Sequence, residues 1–198
     1  MELTTILGIL GGALSMIAYA PYWHSIFRGT TRPQRASWLI WIFSNTLILA
    51  TSFALGARDS LWVPVAYVIG TIITFAISIK RGEGGTHWFD VVCLVVTGIS
   101  IILWYMTGDA LQSLIINLSI VAIGTIPTVI KITKDPHSEN LNGFSFWFLG
   151  SVCSLLAVLL GKSVTIDLWI QPVSFLVLQA IVVSIMVVFR YRKLIGKL

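Results

Sequence analysis

"PYWHSIFRGTTRPQRASWLIW", residues 21–41, and "PTVIKITKDPHSENLNGFSFW", residues 127–147, stand 106 residues apart and align without a gap. Pro21 meets Pro127, Arg28 meets Lys134, Trp38 meets Phe144 and Trp41 meets Trp147. After one or two residues of drift, "SLWVPV" (60–65) meets "DLWIQPV" (167–173), which pairs Trp62 with Trp169 and Pro64 with Pro172. Aromatics and prolines are common in apolar segments, so no single pairing carries weight. An ordered set at nearly constant offset marks an internal duplication.

Composition says where the duplicated unit resides. The chain has 198 residues, 57% of them hydrophobic and 11% charged, whereas soluble domains carry roughly a quarter charged residues. Too few polar groups exist to cover a water-facing surface, so the class is an all-α integral membrane protein. Cys93 and Cys153 both lie in apolar runs without a CxxC or Cys/His neighbourhood, which reads as core packing. "MELTT" at the start has no basic n-region, so no cleavable signal is expected.

A spanning helix needs about 20 predominantly apolar residues. Seven segments qualify, at about 5–27, 37–56, 61–79, 88–107, 111–132, 144–161 and 168–189. All but Arg58 and Lys162 of the thirteen Lys and Arg residues fall on one side of that arrangement. Arg28, Arg32 and Arg35 follow the first span, Lys80 and Arg81 the third, Lys131 and Lys134 the fifth, and Arg190, Arg192, Lys193 and Lys197 the last. Basic connectors stay cytoplasmic, so the N-terminus is expected outside and the C-terminus in the cytoplasm. The net charge of +5 is thereby explained by topology, not by nucleic acid. Trp62, Trp88, Trp104 and Trp169 fall near span ends, where indole rings anchor at the interface.

A three-helix unit reverses direction, so two copies joined directly would be inverted; one extra helix between them restores parallel copies. The expectation is therefore 3+1+3: residues 1–83 form the first three-helix repeat, 84–109 the linker helix and 110–198 the second repeat. Parallel repeats about an axis along the membrane normal are a transporter architecture.

A proline toward the inner end of the first helix, a basic connector and a Trp-bearing second helix resemble the PQ-loop superfamily, which includes the SWEET sugar facilitators. In the second copy Gly143 and Ser145 precede the aromatic pair, as that resemblance requires. The family's Pro-Gln position corresponds to Pro21-Tyr22 and Pro127-Thr128, so the glutamine is lacking in both copies, and Pro33-Gln34 belongs to the connector. The resemblance implies hinges at Pro21 and Pro127 and a solute pocket near the outer ends of the third helices, where Trp62 and Trp169 match. It also implies an asparagine in each third helix; Thr74, and Gln179 or Ser184, are the nearest polar substitutes.

Polar side chains at mid-span depth are costly unless paired or wetted. Asn45, Tyr67, Thr71, Thr74, Asn117, Gln171 and Gln179 lie there, and Ser151 matches Asn45 at the repeat offset. The candidate substrate-binding set is thus Asn45, Trp62, Tyr67, Thr74, Asn117, Trp169, Gln171 and Gln179. No carboxylate or basic residue occupies the middle of a span, which favours facilitated diffusion over a proton-coupled pump. His24 reads as interfacial; His87 and His137 are loop residues. Asp135, His137 and Glu139 alternate in "KDPHSEN" (134–140) as a polar loop does. No lysine lies deep in the last span, which excludes a retinal photoreceptor.

The expected protein is a facilitator of a small uncharged or zwitterionic solute such as a sugar, amino acid or vitamin. It would lie multi-pass in the cell (inner) membrane, with no catalytic residues, metal or cofactor. Its partners would be the solute and the lipid bilayer, and a homo-oligomer stays open. The alternatives are a membrane-embedded enzyme or scaffold working on or with lipid, and a non-transporting ligand receptor.

Overall fold

The computed structural model describes residues 2–30, 32–33, 35–82, 88–135, 139–161 and 165–195, and these are helical with no strand. Helix α1 (Leu3–Ile17) and helix α2 (Tyr19–Phe27) form one bent rod, interrupted at Ala18. Pro21 supplies the reason: it has no N–H to offer the Ile17 carbonyl one turn earlier, and its ring crowds that carbonyl. Helix α3 (Arg35–Ala54) follows, and a single 3-10 turn, Asp59–Leu61, leads into α4 (Trp62–Arg81). Then come α5 (Trp88–Thr107), α6 (Ala110–Lys134), α7 (Leu141–Leu159) and α8 (Ile166–Ile195).

Six stretches are long and apolar enough to cross a membrane: Leu3–Phe27, Ser37–Ala54, Asp59–Arg81, Ala110–Lys134, Leu141–Leu159 and Ile166–Tyr191. They make the chain a multi-pass membrane protein by length and composition, and they lie within a few residues of the expected spans. The remaining helix, α5, has an apolar described portion of Leu94–Thr107, shorter than the others. Gly108, at φ 69°, ends α5 in the left-handed conformation. Asp109 Oδ1 then accepts from the Gln112 N–H at 2.9 Å and caps the next helix.

The six long stretches close a ring. The α1 rod packs between α4 and α7, α3 between α4 and α6, and α8 between α6 and α7, while α5 lies against α6 and α3. Polarity is arranged as lipid demands. Ser15, Ser44, Thr51, Thr74, Ser100, Asn117 and Ser151 are buried, whereas Ile69, Ile72, Val95, Ile99, Ile102 and Val187 are exposed. The buried hydroxyls of Thr51 and Thr71 turn back onto carbonyls of their own helices, which satisfies them without water.

Small residues let the backbones meet at one end of the ring. Thr4, Gly8, Gly11, Gly12 and Ser15 form the buried stripe of α1. Gly8 faces the Asp59 carbonyl, Gly12 the Trp62 carbonyl, and Gly11 and Gly150 each face the other's carbonyl. Interfaces of small residues are how membrane helices gain close van der Waals packing. Ser154 Oγ adds a bond to the Ser60 carbonyl at 3.3 Å.

The opposite end carries the arginines other than Arg58. Arg35 Nε donates to the Ser78 carbonyl at 3.0 Å, Arg81 Nη1 to the Phe27 carbonyl at 3.0 Å, and Arg190 Nη2 to the Glu139 carbonyl at 2.8 Å. These bonds bring the ends of α2, α4 and α8 together with the starts of α3 and α7.

Candidate functional site: an aromatic cavity inside the ring

The break at Ala18 turns Tyr19 inward. Its ring stacks on Trp23 with centroids 5.6 Å apart and meets the edge of Trp147 at 5.2 Å. Helix α4 passes close beneath it because residue 70 is glycine: a Cβ there would land in the Tyr19 ring. Trp23 is fixed in turn by Nε1 donating to Thr74 Oγ1 at 2.8 Å. Trp147 is held by Nε1 donating to the Ser15 carbonyl at 3.1 Å. Tyr67 meets Phe175 edge to face at 5.1 Å and Trp147 at 6.3 Å, and Phe144 meets Trp147 at 5.3 Å. Each such pair contributes about 0.5–1.5 kcal/mol beyond its burial.

These rings surround a cavity of about 280 Å³. Residues of all six ring stretches line it, and none of the described side chains of α5 does. It reaches the connector before α7 at Glu139 and Asn140, on the arginine-bearing end. The lining follows the repeat. At the 106-residue offset, Ala18 and Gly124, Tyr19 and Thr125, Tyr22 and Thr128, Trp38 and Phe144, and Trp41 and Trp147 all face it. At the offset of Pro64 and Pro172, so do Tyr67 with Phe175 and Thr71 with Gln179.

Polar groups in the wall are few. The Tyr67 hydroxyl lies beside Gln179 and Ser151, but neither makes a well-aligned bond to it. Tyr67 Oη and Gln179 Oε1 are both buried without a hydrogen-bond partner among the described residues. Leaving such a group unpaired costs about 1–3 kcal/mol, and at a cavity wall a ligand can supply the partner. Asn45, 6% exposed, also lines the cavity. Glu139 is the one carboxylate in the described lining, and no described Lys, Arg or His is there. No group of three metal-ligating side chains occurs among the described residues.

Of the candidates read from sequence, Asn45, Tyr67 and Gln179 line the cavity together. Trp62, 45% exposed, and Trp169 stand outside the lining, at the starts of α4 and α8. Thr74 is wholly buried between Trp23 and the Gly70 carbonyl, to which its hydroxyl donates at 2.6 Å. Gln171 is buried outside the lining, with Nε2 unpartnered among the described residues. Pro21 lies beside the break, and Gly143 of α7 packs on the Ala18 carbonyl and the Pro21 ring. The helix α6 runs unbroken past residue 127; the Pro127 side chain lies outside the described residues, as do His87, His137, Gln34 and the side chain of Cys93.

Asn117 has a different environment. Its Nδ2 donates to Ser100 Oγ of α5 at 3.0 Å, and Ser100 and Ser113 hydroxyls lie 2.9 Å apart. With Ser44 and Thr97 at 3.4 Å, these groups bind α5 to the ring. Asn117→Leu is expected to lower thermal stability modestly, by about 0.6–2 kcal/mol, without altering ligand binding in the cavity. Paired melting and binding measurements check this.

Tyr19, Trp41, Phe144, Trp147 and Phe175 were not among the candidates. Part of their signal is the 106-residue offset, at which Trp41 pairs with Trp147 and Trp38 with Phe144. Comparison with protein-family models, curated proteins and solved structures gives no match.

Proposed function

We propose that the protein is a facilitator of a small neutral or zwitterionic solute, built as two parallel three-helix repeats joined by α5. The single observation that carries the reading is the cavity at the join of the two halves, lined by residues that pair at the repeat offset. The packing order agrees. In each half the third helix lies between the first and second, α4 between α1 and α3 and α8 between α6 and α7. The first helix of one half meets the second helix of the other in both directions, α1 with α7 and α6 with α3. Counting α5 as the fourth span, the clustered arginines support a cytoplasmic C-terminus and an N-terminus outside.

In this reading the glycine seam around Gly8, Gly11 and Gly12 closes the outer side, and the cavity communicates with the cytoplasm. Transport then requires the two halves to rock, with bending at Pro21 and Pro127. The chain acts in a cell membrane without catalytic chemistry.

Counterflow of labelled sugars, neutral amino acids and nucleobases into proteoliposomes tests the reading. The control is Gly124→Leu: a Cβ at Gly124 meets the Trp41 ring at 3.5 Å, so the longer side chain fills the cavity. The expected result is protein-dependent counterflow of one solute class, abolished in Gly124→Leu. Undiminished flux in that variant, or flux of no solute, removes the cavity as a pathway.

A further inference from the structure

We infer that the cavity takes a neutral solute with a flat ring and a hydrogen-bond donor on its edge, not a polyol or a zwitterion. This rests on the reading of the cavity as a solute site and deepens it. Thr71 and Thr125 line the cavity, but their hydroxyls donate to the Tyr67 and Val121 carbonyls at 2.8 and 2.9 Å. Asn140 Oδ1 accepts from the Gly143 N–H at 3.1 Å. The Asn45 amide is a further polar group of the lining, while Tyr67 Oη and Gln179 Oε1 are buried there without a partner among the described residues. A carboxamide oxygen only accepts, so the solute must donate to it.

A sugar brings hydroxyls around its whole rim, and each buried one left unpaired weakens binding by roughly five- to a hundredfold. An amino acid brings a carboxylate, for which no described cation is in the lining. The aromatic wall offers what a flat ring needs: faces and edges for contact at centroid distances of about 4.5–7 Å. Tyr19, Trp147 and Phe175 provide it next to the two free oxygens. At about 280 Å³ the cavity lies at the lower limit of ligand pockets, roughly 300–1,000 Å³, so one ring or two fused rings fit.

The test is equilibrium binding to the full-length protein in detergent, followed by tryptophan fluorescence and thermal shift. The probes are adenine, uracil and benzimidazole, against glucose, glycine and choline. At least one heterocycle is expected to saturate, and Gln179→Leu or Tyr67→Phe to weaken it about tenfold. Neither variant is expected to lower the melting temperature of the unliganded protein, since each removes an unpaired buried polar atom. Binding of glucose, glycine or choline without any heterocycle overturns the inference. So does heterocycle binding that neither variant changes, or no heterocycle binding at all. Counterflow is read separately: binding without flux sinks the transport reading but not the cavity chemistry, and glucose flux without heterocycle binding does the reverse.

Discussion

Gly70→Ala is expected to destabilise the protein by about 2–3 kcal/mol, the upper part of the usual range for overpacking a core, and Tyr19→Leu is expected to remove most of that cost. The added methyl would occupy the space of the Tyr19 ring. The ring has no room to retreat, being 3% exposed with Trp23 stacked on it and Trp147 against it. Either α4 moves away from α2 or Tyr19 leaves its place, and both disturb the cavity that Tyr19 and Tyr67 line. A double-mutant cycle in chemical or thermal unfolding isolates the pair, with a coupling energy expected at about 1.5 kcal/mol or more, inside the range of 0.5–3 kcal/mol for residues in contact. Additive effects would mean that α4 and α2 do not approach as closely as described. Solute binding should fall in Gly70→Ala and stay low in the double variant, because that variant restores packing but not the tyrosine wall.

Packing of this kind explains what was legible in the sequence and what was not. Hydropathy and charge fixed where helices run and which ends share the arginines, because both are properties of depth along a helix. The kink was legible in Pro21, because a missing N–H acts locally. Azimuth was not legible. Tyr67 and Trp62 are five residues apart on α4, yet only Tyr67 faces the cavity, since the closure of six stretches into a ring decides which arc of each helix looks inward. Asn45 and Asn117 are both buried amides in the middle of spans, but one faces the ring centre and the other faces α5. Their sequence neighbourhoods do not differ in a way that tells the seams apart. Thr74 looked like a pocket residue and serves Trp23 instead. The 106-residue offset held the missing information, because positions aromatic at both ends of it, such as Trp41 and Trp147, both face the cavity.

The repeat also breaks its own symmetry at one place, and Pro21→Ala tests what that difference does. The two prolines occupy equivalent positions, but α1 and α2 part at Ala18 while α6 runs unbroken from Ala110 to Lys134. If the two halves are rocking units, matching positions in unlike conformations are what one of the two end states would show. Alanine at position 21 gives the Ile17 carbonyl a donor again and removes the ring that crowds it, a gain of up to about 3 kcal/mol. The variant is therefore expected to melt higher than the wild type. If bending there is part of transport, counterflow should fall by about tenfold or more, since each 1.4 kcal/mol added to the barrier slows passage tenfold. The two readouts move in opposite directions only for a hinge. A higher melting temperature with unchanged counterflow would make the bend a static device that seats Gly143 against Ala18. A lower melting temperature would mean that the bend is imposed by α7 and α4, with proline merely accommodated there.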